Sequence, residues 1–297
     1  LIVSLERVDY MTLLQTLLIA ILQGATELFP VSSLGHAVLL PALLHWPFDE
    51  NDPIFLPFLV MLHLGTSVAL FVFFWRDWAA IIGGALGLYG RRYRMESFRI
   101  LMLLGIATVP AVLVGGLLEH LLRHLFGSPF PVAGLLVANG LMLLIVERLK
   151  ASGVTSVSNS SAERPIASLS ASDAVFIGLF QCLALLPGMS RSGATIAGGL
   201  LRGLHHDVAA RFSFLMAEPI ILAATAHQFM KMRHMQITHE QIHLGMIGAG
   251  VAGVTALIST AVLMRYFRNH DNWALAPFAY YCIALGLGSL VYLGGFL

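Results

Sequence analysis

Apolar residues run along this chain in long blocks, each closed by charge, proline or glycine. Six blocks, at residues 54–75, 100–118, 131–146, 212–230, 244–264 and 275–297, come close to the ~20 residues an α-helix needs to cross a bilayer. Two others, 12–44 and 173–201, are too long for one ordinary crossing, and each is interrupted near its middle by Pro, Gly, Ser and a charge. Backbone that leaves the helix at membrane depth survives only where protein buries it or where it lines a wet cavity. The pattern therefore predicts six spanning helices and two helix–break–helix hairpins, each entering and leaving on one side.

Composition narrows the class. The chain of 297 residues is 58% hydrophobic and 11% charged, with a mean hydropathy of +0.82. That is too little charge to cover a soluble globule, so an all-α polytopic membrane protein is expected, one integral membrane domain over 1–297. A net charge of +1 with twelve histidines offers no broad basic face, and nucleic acid is not an expected partner. Cys182 and Cys282 lie a hundred positions apart in apolar segments and read as packed apolar residues. Residues 1–10 lack a charged region leading to a cleavage site; since the first apolar block opens at Met11, they read as an upstream extension or a misread start, with no role of their own.

Loop charge sets the orientation. With the N-terminus outside and both hairpins re-entrant, the inner loops hold Arg76, Arg91, Arg92, Arg94, Arg99, Arg148, Lys150, Arg164, Arg202, Arg211, Arg265 and Arg268. The outer side holds only Arg7, Arg123, Lys231 and Arg233. Twelve against four satisfies the positive-inside rule. Two full crossings per hairpin would give the same parity, so the rule speaks for orientation and not for re-entrance. Residues 149–172, rich in Ser and Ala, read as a cytoplasmic linker.

The chain also repeats. Sliding it by 158 positions lays Gln23 on Gln181, Ser32 on Ser190 and Gly35 on Gly193; "FLVML" at Phe58 meets "FLMAE" at Phe214 with an offset of 156. Each half, 11–148 and 173–297, is then a hairpin followed by three spans. Three is odd, so the second copy is inverted, a transporter-like design whose site lies where the repeats meet.

Chemistry concentrates at the two breaks. Ser32 and Ser33 precede one apolar run and Ser190 and Ser192 the other, the residue types that cap helix N-termini. Two such ends facing each other would offer free N–H groups and partial positive charge to an anion, most naturally a phosphate. Arg191 is the only Lys or Arg in residues 165–201. A guanidinium in a membrane costs ~2.5–3.5 kcal/mol even on lenient scales, and capping alone does not account for it. The first break adds Glu27 and His36, so a carboxylate, hydroxyls and an imidazole stand ready for attack on phosphorus.

The stretches "QGATELFPVSSLGH" and "PGMSRSGAT" resemble the two motifs of the BacA-type undecaprenyl-diphosphate phosphatases. Gln23 and Glu27 match the (E/Q)-x-x-x-E pattern; Pro187, Gly188, Ser190, Arg191, Ser192 and Thr195 match P-G-x-S-R-S-x-x-T. The resemblance covers nearly the whole chain from about Met11. It implies dephosphorylation of undecaprenyl diphosphate to undecaprenyl phosphate, in the bacterial inner membrane at a site open to the periplasm, with peptidoglycan synthesis and bacitracin resistance as the biological setting. Gln23 takes the amide option of its motif, leaving Glu27 the one carboxylate there.

Expected roles follow. Arg191 clamps the diphosphate; Ser190, Ser192, Thr195, Ser32 and Gln23 complete the substrate cradle. Glu27 with Ser33, or His36 acting directly, supplies the nucleophile, and the residues alone leave both open. Mg²⁺ or Ca²⁺ could bridge Glu27 to phosphate oxygens, without an organic cofactor. A homodimer is a further candidate assembly. Glu218, an unexpected charge within a span, reads either as a substitute acid or as the partner of a neighbour such as His227. "HEQIH" at residues 239–243 has zinc-protease spacing but reads as a helix start with a Thr238–Gln241 capping box. "GAGVAG" at 248–253 reads as close helix packing rather than a dinucleotide loop. The rival class is a polyprenyl-phosphate flippase or another anion transporter, which the same inverted repeats would suit.

Overall fold

The computed structural model describes residues 11–46, 55–126, 128–153, 165–232 and 238–295. Those residues form eleven α-helices and a short 3-10 turn at Ile166–Ser168, with no strand. The N-terminal extension, part of the linker and the basic residues Arg7, Arg164 and Arg233 lie outside them.

Both interrupted blocks fold as hairpins. The first is α1 (Leu13–Thr26) and α2 (Ser33–Leu43). Its counterpart, α7 (Ala171–Leu183) and α8 (Arg191–Leu201), begins and resumes at the positions that the 158-residue offset requires. Even the entry caps correspond: Thr12 with Gln15 makes a capping box for α1, and Ser170 with Asp173 makes one for α7. At 1.5 Å per residue, the 14-residue α1 is about 21 Å long and the 11-residue α2 about 16 Å. Neither spans a hydrocarbon core of ~30 Å, so each arm stops at depth.

The six expected spans are helices: α3 (Phe55–Phe73), α5 (Arg91–Phe126), α6 (Pro129–Ala151), α9 (His206–Met232), α10 (His239–Asn269) and α11 (Ala276–Gly294). Five are long and apolar enough to cross alone; α3 meets that measure only when counted together with α4 (Trp75–Ala85), from which it is bent by 71°. The helix α4 was expected as loop. Its apolar residues are grouped so that Ile81 is buried while Trp75 and Ile82 stay exposed, which favours a short surface helix. Likewise α5 runs well past both charged ends of its apolar block, because charge ends a membrane block and not a helix.

Packing crosses between the halves at small residues. Gly24 of α1 lies against Ala252 of α10, and Gly178 of α7 lies against Ala107 of α5. Because α5 and α10 hold equivalent places in the two halves, this exchange is the one that two-fold-related halves would make. In the same way Gly140 of α6 meets Ala279 and Gly286 of α11 meets Ala133. "GAGVAG" is such a contact: Gly253 faces the Gly65 backbone of α3. Outward faces stay apolar, as at Val109, Leu113 and Leu117 on α5 and Val254, Ile258 and Val262 on α10, the surface a lipid bilayer covers.

At one end of the bundle, α6, α9 and the α10–α11 connection are tied by a polar network. Buried His206 lies 2.8 Å from Glu147 on one ring nitrogen and 2.8 Å from Asp271 on the other, while Lys150 Nζ donates to Asp271 at 2.8 Å. Burial by itself would raise the Asp271 carboxyl, but the hydrogen bonds from His206 and Lys150 outweigh it and hold the group well below the usual carboxylate range.

Candidate active site

The two breaks are in contact. A Cβ on Gly35 would lie 3.2 Å from Gly188 Cα, and one on Gly193 would lie 3.2 Å from Pro30 Cβ, so each break seats its glycine on the other. Gly188 has φ +105° and faces the Val132 carbonyl, which leaves no room for a side chain. Ser32 and Ser190 are the N-caps of α2 and α8, accepting from Gly35 N at 3.2 Å and Gly193 N at 3.1 Å. Ser32 does so with φ +67°, a strained backbone that tight surroundings must hold. Ser192 Oγ donates to the Phe29 carbonyl at 3.0 Å, a further bridge.

One residue stitches the breaks together. Asn139 of α6, fully buried, donates from Nδ2 to the Pro30 carbonyl at 3.0 Å and accepts from Ser190 N at 3.1 Å. It satisfies one orphan backbone group from each half.

Glu27, at the C-cap of α1, is the hub. Its Oε2 accepts from Ser33 Oγ at 2.6 Å and Gln23 Nε2 at 3.0 Å and lies 3.4 Å from His63 Nε2; Oε1 accepts from Arg191 Nη2 at 3.2 Å. Arg191 Nη1 donates to the Ser213 carbonyl at 3.3 Å. His63 of α3 donates from Nδ1 to the Leu59 carbonyl at 2.8 Å, which turns its other nitrogen toward the Glu27 carboxylate.

Beside this hub lies a cavity of about 310 Å³. Its polar lining includes Glu27, Ser33, His63, Gln181, Ser190 and Arg191. Leu34, Leu59, Val60, Leu185, Ile220 and Ile221 form an apolar wall. Such a division suits a ligand with an anionic head and a hydrocarbon tail. A larger cavity of about 930 Å³, around Asp77, Tyr93 and Arg211, contains none of the motif residues.

The remaining expected residues stand behind the cavity. Gln23 is buried on Glu27, and Ser192 is spent on Phe29 and Ser190. Thr195 bonds Ser213 Oγ at 2.6 Å, steadying the segment whose carbonyl holds Arg191. His36 points away: its Nδ1 donates to the Ser32 carbonyl at 2.6 Å, and Nε2 pairs at 2.8 Å with Tyr281, on which the ring stacks. Glu218 accepts from Ser67 Oγ at 2.6 Å, with its other oxygen buried and unpartnered.

Sequence reasoning missed Asn139 and His63. Both were legible as the lone strongly polar or ionisable side chain of an apolar block, the kind of residue that marks a site in a membrane. His239, Glu240 and His243 are exposed at the start of α10 behind the expected capping box, and among the described residues no group of three His, Cys, Asp or Glu is placed to hold a metal.

The profile of the family described as Bacitracin resistance protein BacA matches residues 16–288. A protein of Gluconobacter oxydans named undecaprenyl-diphosphatase is 60% identical over 277 residues, covering 93% of this chain and 97% of that one. One of the same name from Gluconacetobacter diazotrophicus is 60% identical over 284 residues, covering 96% and 98%. A third, from Granulibacter bethesdensis, is 53% identical over 291 residues, covering 97% and 99%. With a fused pair of broken hairpins, both sequence motifs and a match over nearly its full length, the chain belongs to the BacA family.

Proposed function

We propose that this protein hydrolyses undecaprenyl diphosphate to undecaprenyl phosphate and inorganic phosphate, regenerating a cell-wall lipid carrier, with Ser33 as nucleophile, Glu27 as base and Arg191 as clamp. The observation that carries the reading is the 2.6 Å hydrogen bond from Ser33 to Glu27, set opposite Arg191 in one cavity. The names of the similar proteins supply the substrate; the cavity's polar head and apolar wall are consistent with it.

The chemistry balances with these groups alone. Ser33 Oγ attacks the terminal phosphorus while its proton passes to Glu27. The bond from that phosphorus to the bridging oxygen breaks, and undecaprenyl phosphate leaves with the electron pair and takes the proton from Glu27. Water then attacks the phosphoserine, giving its proton to Glu27. The phosphorus–Oγ bond breaks, and Oγ recovers the proton as phosphate departs. Throughout, the Arg191 fork and the first-turn N–H groups of α2 and α8 stabilise charge on the equatorial oxygens. Ser32 and Ser190 cap those helices, and Gln23, Ser192, Thr195 and His36 act as positioning residues.

Loop charge favours an orientation with the basic loops inside, the family resemblance implies an inner membrane with the cavity open to the periplasm, and the reciprocal packing favours inverted repeats at 11–148 and 173–297. Glu27 would be the carboxylate to hold a divalent ion, which would supply neutralisation of charge on phosphate oxygens, and Arg191 on its Oε1 would compete for that place. The test is phosphate release from undecaprenyl diphosphate by purified protein, with loss in Ser33→Ala; binding without release would favour a transporter.

A further inference from the structure

The two glutamines that the repeat superposes are used differently. Gln23 commits its Nε2 to Glu27. Gln181 of α7 is 2% exposed and lines the cavity beside Ser190 and Arg191, yet neither its Nε2 nor its Oε1 has a hydrogen-bond partner. A buried amide with both valences empty is costly, and the folded chain offers nothing to fill them.

Chemistry says what would. An ionised phosphate oxygen only accepts, so it satisfies the amide N–H and cannot satisfy the amide oxygen. Oε1 needs a hydroxyl donor close to that phosphate. The water that resolves a phosphoserine is such a donor, and a glutamine amide is a fitting group to orient it for attack. Resting on the serine mechanism above, we propose that Gln181 donates to a phosphate oxygen through Nε2 and holds through Oε1 the water that hydrolyses phospho-Ser33. The water oxygen forms its bond to phosphorus, its proton goes to Glu27, and the phosphorus–Oγ bond breaks. Gln181 itself gains and loses no proton.

The test uses the full chain in detergent and undecaprenyl diphosphate radiolabelled on the terminal phosphorus, with lipid product and free phosphate followed separately. Gln181→Leu, similar in shape, should give a burst of undecaprenyl phosphate equal to the enzyme, label retained on Ser33, and phosphate release slowed about 100-fold, the scale of a misplaced reactant. Its melting temperature should equal or exceed that of the wild type, because an unpartnered amide has been removed. Gln181→Glu keeps the acceptor oxygen but not the donor, and should raise KM without a burst. The proposal is overturned if both products of Gln181→Leu leave in step, if its melting temperature falls well below wild type, or if Gln181→Glu accumulates phosphoenzyme. Absence of phosphate release from the wild type would instead defeat the hydrolase reading.

Discussion

Asn139→Leu removes the α6 side chain that bonds both breaks. It leaves the Pro30 carbonyl and the Ser190 N–H buried without their partner. Interhelical hydrogen bonds in membranes average only ~0.6 kcal/mol, because separated helices find other partners. These two groups are different: they belong to broken backbone at depth, where an orphaned buried group costs ~1–3 kcal/mol. The Cys282 thiol, 3.8 Å from the Pro30 carbonyl, offers partial relief on one side. The sum is a loss of about 2–4 kcal/mol. Turnover should fall more than stability suggests, since a shift of ~1 Å between the breaks costs on the order of 10²-fold. Denaturant unfolding in detergent and phosphate release on the same preparation measure both. A variant within ~0.5 kcal/mol of wild type, the range of an inert surface change, and fully active would refute the clamp.

Arg191→Lys should fold but lose ~10²–10³-fold in kcat, because an ammonium cannot reproduce the fork that spans Glu27 and the Ser213 carbonyl; near-normal kcat removes the clamp role. Ser33→Ala should lose at least ~10³-fold, whereas His36→Gln should chiefly lower the melting temperature; an acid-labile phosphoenzyme on His36 would reverse the assignment. Because the Asp271 carboxyl is depressed in the folded state, its stabilisation is complete above the ordinary carboxylate range near ~4 and is lost as pH falls from there toward the depressed value. Melting scans across that window should drop for wild type and flatten for Asp271→Asn, and identical slopes would count against the network. Gly188→Ala, at φ +105° against Val132, should fail to accumulate as folded protein, and a stable, active variant would contradict the tight seat between the breaks.

Much of this site was legible because membrane depth makes departures from apolar helix conspicuous. The offset of 158 matched the breaks and their caps, Ser32 with Ser190; the entry caps Thr12 and Ser170 stand in the same register and emerge only from the fold. What stayed hidden was direction. Sequence spacing puts His36 one turn beyond Ser32, yet only the fold shows it turned toward Tyr281 and away from Glu27. Thr195 lies in the motif but serves Ser213, a partner eighteen positions away. Asn139 and His63 come from α6 and α3, outside both motifs, and reach the breaks only through tertiary packing. Reading α4 as loop failed for a simpler reason: its short amphipathic face is invisible to a search for blocks long enough to cross.

The central claim is that Ser33 from one half and Arg191 from the other act on a single phosphate. Solid-state NMR of bilayer-embedded protein, labelled at the arginine guanidinium nitrogens and serine Cβ and loaded with a non-hydrolysable diphosphate lipid, tests it through dipolar coupling to the terminal phosphorus. The account predicts coupling to both labels, with the arginine signal lost in Arg191→Lys and the serine signal lost in Ser33→Ala. Coupling to one label only, or arginine coupling that survives Arg191→Lys, would contradict it.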